Sequence, residues 1–232
     1  MPGAAAPAGR APCDMLMKNT LEILRFAQRS ARSAERINLL ATELECRAEA
    51  LGTLLITARS AGEGATHIAV NLLRTFAELH RRVVLVDADL RASRLAEAPE
   101  RAAAEAPPGL LQALSGECAP DEIVYPTDLE NAWFVPAGGR TRQPLPLLRE
   151  DRTGELLREL KNRFDLVLID APPAGEYADA LELARHADGA LLVVGEGVGR
   201  RRDIAEVAAA IERRGCPVIG AALNEGGSGR RT

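Results

Sequence analysis

Residues 58–73 read ARSAGEGATHIAVNLL, and their glycines fall between an apolar run and a stretch of helical spacing. That is where a helix N-terminus presents unpaired N–H groups and a positive dipole end to an anion. Gly62 and Gly64 let the backbone approach such a group closely. Measured against the phosphate-loop pattern G-x-x-x-x-G-K-[ST], Arg59 stands at the first glycine and Gly64 fits the second. Ala65 takes the place of the lysine, and Thr66 keeps the hydroxyl that serves Mg²⁺. An ordinary glycine turn between strand and helix accounts for this stretch alone equally well. Two further stretches add carboxylates. In VVLVDADLR (83–91), Asp87 and Asp89 lie two residues apart after an apolar run, on one side of an extended chain. Such a pair suits a cation or a proton acceptor, whereas a turn-forming role explains one aspartate more readily than two. In FDLVLIDAPP (164–173), Asp170 closes another apolar run and Pro172 and Pro173 must then leave the sheet. An acidic residue in that setting holds a metal-bound water. Three such signals in one chain and in this order make a chance set of turn residues a poor account.

The elements that would position these residues follow from the hydropathy pattern. LLIT (54–57), VVLVD (83–87), LVLID (166–170), ALLVV (190–194) and VIGAAL (218–223) lack polar alternation, as strands of a parallel sheet covered on both faces do. Between them THIAVNLLRTFAELH, GELLRELKNR, YADALELARHA and RRDIAEVAAAIERRG are each long enough for a crossover helix, the last stopping at Gly215. The order predicts an α/β fold with a doubly wound, mostly parallel sheet. The loop and the aspartates then meet at the carboxyl ends of the strands, where open α/β sheets bind ligands. PGLLQALSG predicts one short helix, and AWFVPAGG a strand ending in a loop. Upstream, residues 1–14 read as a flexible tail, and residues 15–50 as an N-terminal helical segment with apolar positions at Leu21, Leu24, Ile37, Leu40 and Leu44. Core packing and contact with another subunit both fit that segment. Residues 51–224 form the main domain, and 225–232 a short flexible tail.

Composition bounds the function. The formal charge of −4 over 232 residues gives no general attraction to nucleic acid or anionic lipid. Only two of the 29 basic residues are lysines, Lys18 and Lys161; a general arginine preference would have placed Arg, not Ala, at position 65. Cys13, Cys46, Cys118 and Cys216 are too widely separated for a paired metal-ligand spacing and read as reduced thiols. With no run of about 18 apolar residues, and an opening MPGAAAPAGRAPCD too broken for a signal core, a cytoplasmic chain without direct membrane insertion is expected.

Taken together, the motifs resemble the bacterial tyrosine kinases (BY-kinases), the cytoplasmic P-loop partners of capsule and exopolysaccharide chain-length co-polymerases. The likeness spans about residues 51–224: GEGAT against the family's GEGKS/T, NLL (71–73) against NLA, and VDADLR as the Walker A′ motif. GLLQALSG, VPAGG followed by QPLPLL, FDLVLIDAPP and GCPVIGAALN match as well. The resemblance implies a P-loop NTPase-like three-layer sandwich with an N-terminal helical extension. It also implies ATP or ADP with Mg²⁺ as cofactors. Thr66, Asp87 and Asp170 would hold the metal and Asp89 would assist Asp87 in catalysis. The backbone of Ala61, Gly62, Glu63, Gly64, Ala65, Thr66 and His67 would wrap the phosphates, with Asn224 near the adenine. The implied partners are a membrane co-polymerase, which would recruit the chain to the inner face of the plasma membrane, and further copies of the chain itself.

Three departures qualify the likeness. Ala65 removes a donor aimed at transition-state charge, a loss typically of about 10²- to 10³-fold in rate. The only tyrosines, Tyr125 and Tyr177, lie inside the domain, and NEGGSGRRT (224–232) stands where the family's kinases carry a tyrosine cluster. The family's N-terminal Glu-and-two-Arg oligomerisation motif is not recognisable; SAERINLL and EILRFAQR keep fragments of it. The expected function is a kinase-impaired, nucleotide-responsive or scaffold partner in exopolysaccharide systems. The alternatives are an active kinase that uses Arg59 in place of lysine, and a Min/Par-type ATPase. Arg91 reads either as a contact to a neighbour's nucleotide or as a solvated charge, His67 as facing phosphate or partly packed, and Trp133 as core.

Overall fold

The computed structural model describes residues 31–45, 51–93, 95 and 107–224. The expected tails, the first half of the N-terminal helical segment, Cys13 and Cys46 lie outside them. The elements are α1 (Ala31–Glu45), β1 (Thr53–Ala58), α2 (Ala65–Glu78), β2 (Val83–Asp87), α3 (Leu110–Ser115), β3 (Tyr125–Pro126), β4 (Ala132–Val135), α4 (Pro144–Leu148), α5 (Asp151–Arg163), β5 (Leu166–Asp170), α6 (Asp179–Leu183), β6 (Gly189–Gly195), α7 (Arg201–Glu212) and β7 (Val218–Asn224). The sheet runs β3-β4-β2-β5-β1-β6-β7. Every pairing is parallel except β3 with β4.

The absence of polar alternation in the strands has a direct cause, because β1, β2, β5 and β6 each feed two cores. In β5, Val167 and Ile169 face one core while Leu166 and Leu168 face the other; in β2, Val84 and Val86 oppose Val83 and Leu85. One core is closed by Leu110, Leu114, Leu148, Leu157, Leu160 and Ile211 from α3, α4, α5 and α7. The other is closed by α2, through Leu72, Leu73 and Phe76, and by α1, through Ile37, Ala41 and Leu44. The N-terminal helix therefore packs on α2 as part of the main body, as core packing predicts. Trp133 is half-buried at the margin of the first core, its ring 5.1 Å from that of Phe164.

β1 lies between β5 and β6, and its chain leaves through α2 to reach β2 on the far side of β5. The crevice at the carboxyl end of β1 is thus the switch point of the sheet. α2 ends where His80 takes a left-handed conformation (φ 60°), the usual geometry of a helix stop. Three elements depart from expectation. The crossover from β5 to β6 is not one helix over 177–187 but the short α6 followed by a 3₁₀ turn at Ala184–His186. Asp179 and Glu182 within it are buried and ion-paired to Arg91, Arg149 and Arg185, so the segment is fixed by charge as much as by an apolar stripe. PLPLL forms α4, with Pro144 in its first turn where no N–H is needed. The two-residue β3 is too short to carry a pattern.

Candidate functional site

β1, β2 and β5 end together, and their register brings the acidic residues side by side. Asp87 and Asp170 are direct neighbours across β2 and β5, and Asp170 also faces Ile56 of β1. Both aspartates are buried, at 1% and 2% exposure. Burial pushes the Asp87 carboxyl up to about 7; the Ser93 hydroxyl bond opposes this, the Asp89 charge adds to it, and the Asp89 backbone N–H and the Arg140 charge hold it down. Ser93 Oγ donates to Asp87 Oδ2, and the Asp89 N–H donates to Asp87 Oδ1 at 3.3 Å. The Asp89 side chain turns back on its own segment, accepting from the N–H groups of Arg91 (3.1 Å) and Ala92 (2.9 Å). Asp87 and Asp170 are thereby brought together, while Asp89 lies beside them as the cap of a turn.

The glycine loop rises from β1 over this pair. Gly62 (φ 85°) and Gly64 (φ 100°) are both left-handed, and Gly64 caps α2 without any side-chain bond. A Cβ on Gly62 would meet nothing within 4 Å, whereas one on Gly64 would come within 2.0 Å of Asn224 Nδ2. Ala65 and Thr66 open the first turn of α2. Glu63 is the anchor of the loop. Its side chain, 1% exposed, accepts from the Ser60 N–H at 3.0 Å and from the Gly195 N–H of β6 at 3.1 Å. Asn224 at the end of β7 donates from Nδ2 to the Glu63 carbonyl at 2.9 Å, which ties it to the loop backbone. The Ala61 N–H donates to Glu176 Oε1 at 3.0 Å. His67 is drawn along its own helix, with Asn71 Nδ2 2.7 Å from its carbonyl and 3.3 Å from its ring Nε2.

The cations around the site have separate tasks. Arg59 pairs with Glu63 at 3.5 Å and packs on Gly199, where a Cβ would come within 2.6 Å of its Nε. It braces the outer side of the loop. Arg91 forms a two-pronged pair with the buried Asp179 and lies 4.7 Å over the ring of Tyr177, so within this chain it is held in place rather than solvated. Arg140 Nη2 donates to the Ser93 carbonyl at 3.1 Å, next to the group that binds Asp87.

The residue set suits a magnesium nucleotide in three respects: a glycine loop already wound at a helix N-terminus, a hydroxyl at Thr66, and two buried strand-end carboxylates in register. It departs in one, the methyl group of Ala65 where a lysine ammonium belongs. Ser93, Asp179, Glu176 and Arg140 escaped the sequence reading because nothing in their spacing marks them. The GEG triplet could have singled out Glu63, since an acidic residue inside an anion loop needs a partner of its own.

The family model described as AAA domain matches residues 53–194. The tyrosine-protein kinase CpsD of Streptococcus pneumoniae is 28% identical over 207 residues, which cover 89% of this chain and 90% of the relative. The tyrosine-protein kinase wzc of Salmonella typhimurium is 31% identical over 171 residues, 74% of this chain but 23% of that larger protein. Among solved structures, the kinase domain of the Escherichia coli tyrosine kinase ETK superposes with a TM-score of 0.74 at 25% identity, covering 82% of this chain and 74% of that one. The septum site-determining protein MinD of Pyrococcus horikoshii, solved with Mg-ADP, shares the fold at a TM-score of 0.61 and 22% identity, over 77% of this chain and 72% of that one. Among the described residues no helix is long and apolar enough to cross a membrane.

Proposed function

As the chain belongs to the AAA-domain family of P-loop proteins and is related in sequence to bacterial tyrosine kinases, we propose that it binds Mg²⁺·ATP and is impaired in phosphate transfer. It would act as a nucleotide-responsive partner of a membrane co-polymerase in capsule or exopolysaccharide synthesis. The observation that carries this reading is a wound phosphate loop and a buried Asp87–Asp170 pair around a position 65 that bears only a methyl group. The bound metal would draw charge from the terminal phosphates; the residues of this chain would do the holding. Asp87, Asp170 and Thr66 would hold Mg²⁺, the backbone from Ala61 to His67 would follow the phosphates, and Asp89 would orient the turn that carries Asp87. Asn224, tied to the loop backbone, would sit between the loop and the base.

Binding and transfer separate here because they draw on different groups. Backbone N–H donors and the metal serve the ground state, while the absent ammonium would serve the charge that develops in the transition state. Arg59 does not take over that role in this reading, since it is engaged with Glu63 and a planar guanidinium is a poor copy of a flexible ammonium. The domain proper is residues 51–224, with the preceding helix packed on it. Its place is the inner face of the plasma membrane, reached through the co-polymerase, and the nucleotide acts by favouring one of two assembly states. The test is a transfer and hydrolysis assay with γ-labelled ATP on the wild type and Ala65→Lys. The reading expects background turnover in the first and a gain of about 10²-fold in the second. Wild-type turnover at the rate of Ala65→Lys would overturn it.

A further inference from the structure

We infer that Arg140 is the cation this site offers to the terminal phosphates of the nucleotide, in the role that Ala65 leaves open. The inference rests on the nucleotide-binding reading above and assigns the counter-charge within it. Three other cations are committed elsewhere. Arg59 pairs with Glu63 and Arg91 with Asp179. Lys161 binds Asp188 at 2.7 Å, and the same carboxylate accepts from the N–H groups of Gly52 and Thr53 at the amino end of β1, away from the crevice. Arg140 alone of these four stands at the carboxyl ends of the strands without a carboxylate partner among the described residues.

Its position is built, not incidental. The segment leaving β4 is held by bonds from the Leu110 and Leu111 N–H groups to the carbonyls of Pro136 and Ala137. Gln112 Nε2 binds the Gly138 carbonyl at 3.0 Å, and the Thr141 N–H binds the Leu90 carbonyl at 2.8 Å. Gly138 (φ 74°) and Gly139 (φ 145°) make the turn that delivers Arg140 toward Asp87. There its guanidinium spends one donor on the Ser93 carbonyl, while Ser93 holds Asp87. A guanidinium has five donors in a fixed fork, which leaves most of them for phosphate oxygens gathered by a metal on Asp87 and Asp170. Because Arg140 is exposed and its bond is to a carbonyl, its removal breaks no direct ion pair among the described residues.

The test is calorimetric titration of the full chain with Mg²⁺·ATP and with adenosine, for the wild type, Arg140→Ala, Arg140→Lys and Arg142→Ala, with thermal melts as a check on folding. Arg140→Ala is expected to weaken ATP binding about 10- to 100-fold. Arg140→Lys should restore part of that loss, while adenosine binding, melting temperature and the Arg142→Ala control stay unchanged. Equal ATP affinity in the wild type and Arg140→Ala would overturn the assignment and leave the nucleotide reading standing. An equal loss for ATP and adenosine would also overturn it, since that pattern marks a structural role. No ATP binding by the wild type would remove both.

Discussion

At residue scale the site is a buried pair of acids beneath a loop that has lost its own cation. Asp87 shows the cost of this arrangement. Burial raises its carboxyl to about 7 from 3.8, so the folded state prefers the protonated form. That preference contributes fully below about 3.8 and shrinks as pH climbs toward 7, above which the protein carries an ionised, desolvated group. Asp87→Asn is therefore predicted to raise the melting temperature of the metal-free protein by about 3 °C or more at pH 8, by less at pH 5 and by about nothing below about pH 4. Equal shifts at all three pH values would contradict this cause. Glu176 gives a second prediction. Its carboxylate sits on the Ala61 N–H, where the proposal places phosphate, so Glu176→Ala should tighten Mg²⁺·ATP binding several-fold by titration; weaker binding would show that the contact supports the loop instead. Asp87, Asp170, Thr66 and the glycines were legible in the sequence because each closes or follows a strand whose pattern is unambiguous. Ser93 and Arg140 were not, since they reach Asp87 through chain folds with no local signature.

At the scale of elements, what distinguishes the loop is how firmly it is tied. Glu63 links it to β6, Asn224 links it to β7, and Gly64 fits only because it has no side chain. Gly64→Ala would force a left-handed alanine and drive its Cβ into the Asn224 amide. The variant is predicted to lose about 1–3 kcal/mol of stability and its nucleotide binding with it. Asn224→Ala in the same background should recover part of the stability in denaturant melts, and no recovery would place the whole cost in the backbone. The five long strands were readable to within a residue or two because their side chains are almost all apolar, and four of them, β1, β2, β5 and β6, enter two cores at once. α6 was overestimated for the opposite reason. Asp179 and Glu182 are drawn inward by Arg91 and Arg185, and the helix gives way after little more than one turn to a single turn of 3₁₀ at Ala184–His186.

Across the whole molecule, charge pairs fasten neighbouring segments to one another. Burial opposes ionisation of Glu182, but Arg185, Arg149 and Arg214 outweigh it and hold the carboxyl below its usual range; Asp165 is lowered chiefly by its hydrogen bond from Arg82. Both shifts are depressions, so the stability they lend is present above the ordinary carboxylate values and is lost as pH falls through the lowered ones. Glu182→Gln should be less stable than the wild type at pH 7, and the gap should close as pH is lowered; a constant gap would assign the effect to packing. The likeness to tyrosine kinases along the chain, the wound loop and the paired acids support the proposed nucleotide receptor, and the methyl group at position 65 supports the proposed impairment of transfer. The most direct measurement is calorimetric titration of the purified protein with Mg²⁺·ATP, with Asp87→Ala as the blank. Saturable one-to-one binding that disappears in Asp87→Ala is the predicted result. No heat at millimolar ATP, or binding unchanged in Asp87→Ala, would contradict the account and leave the fold as a scaffold.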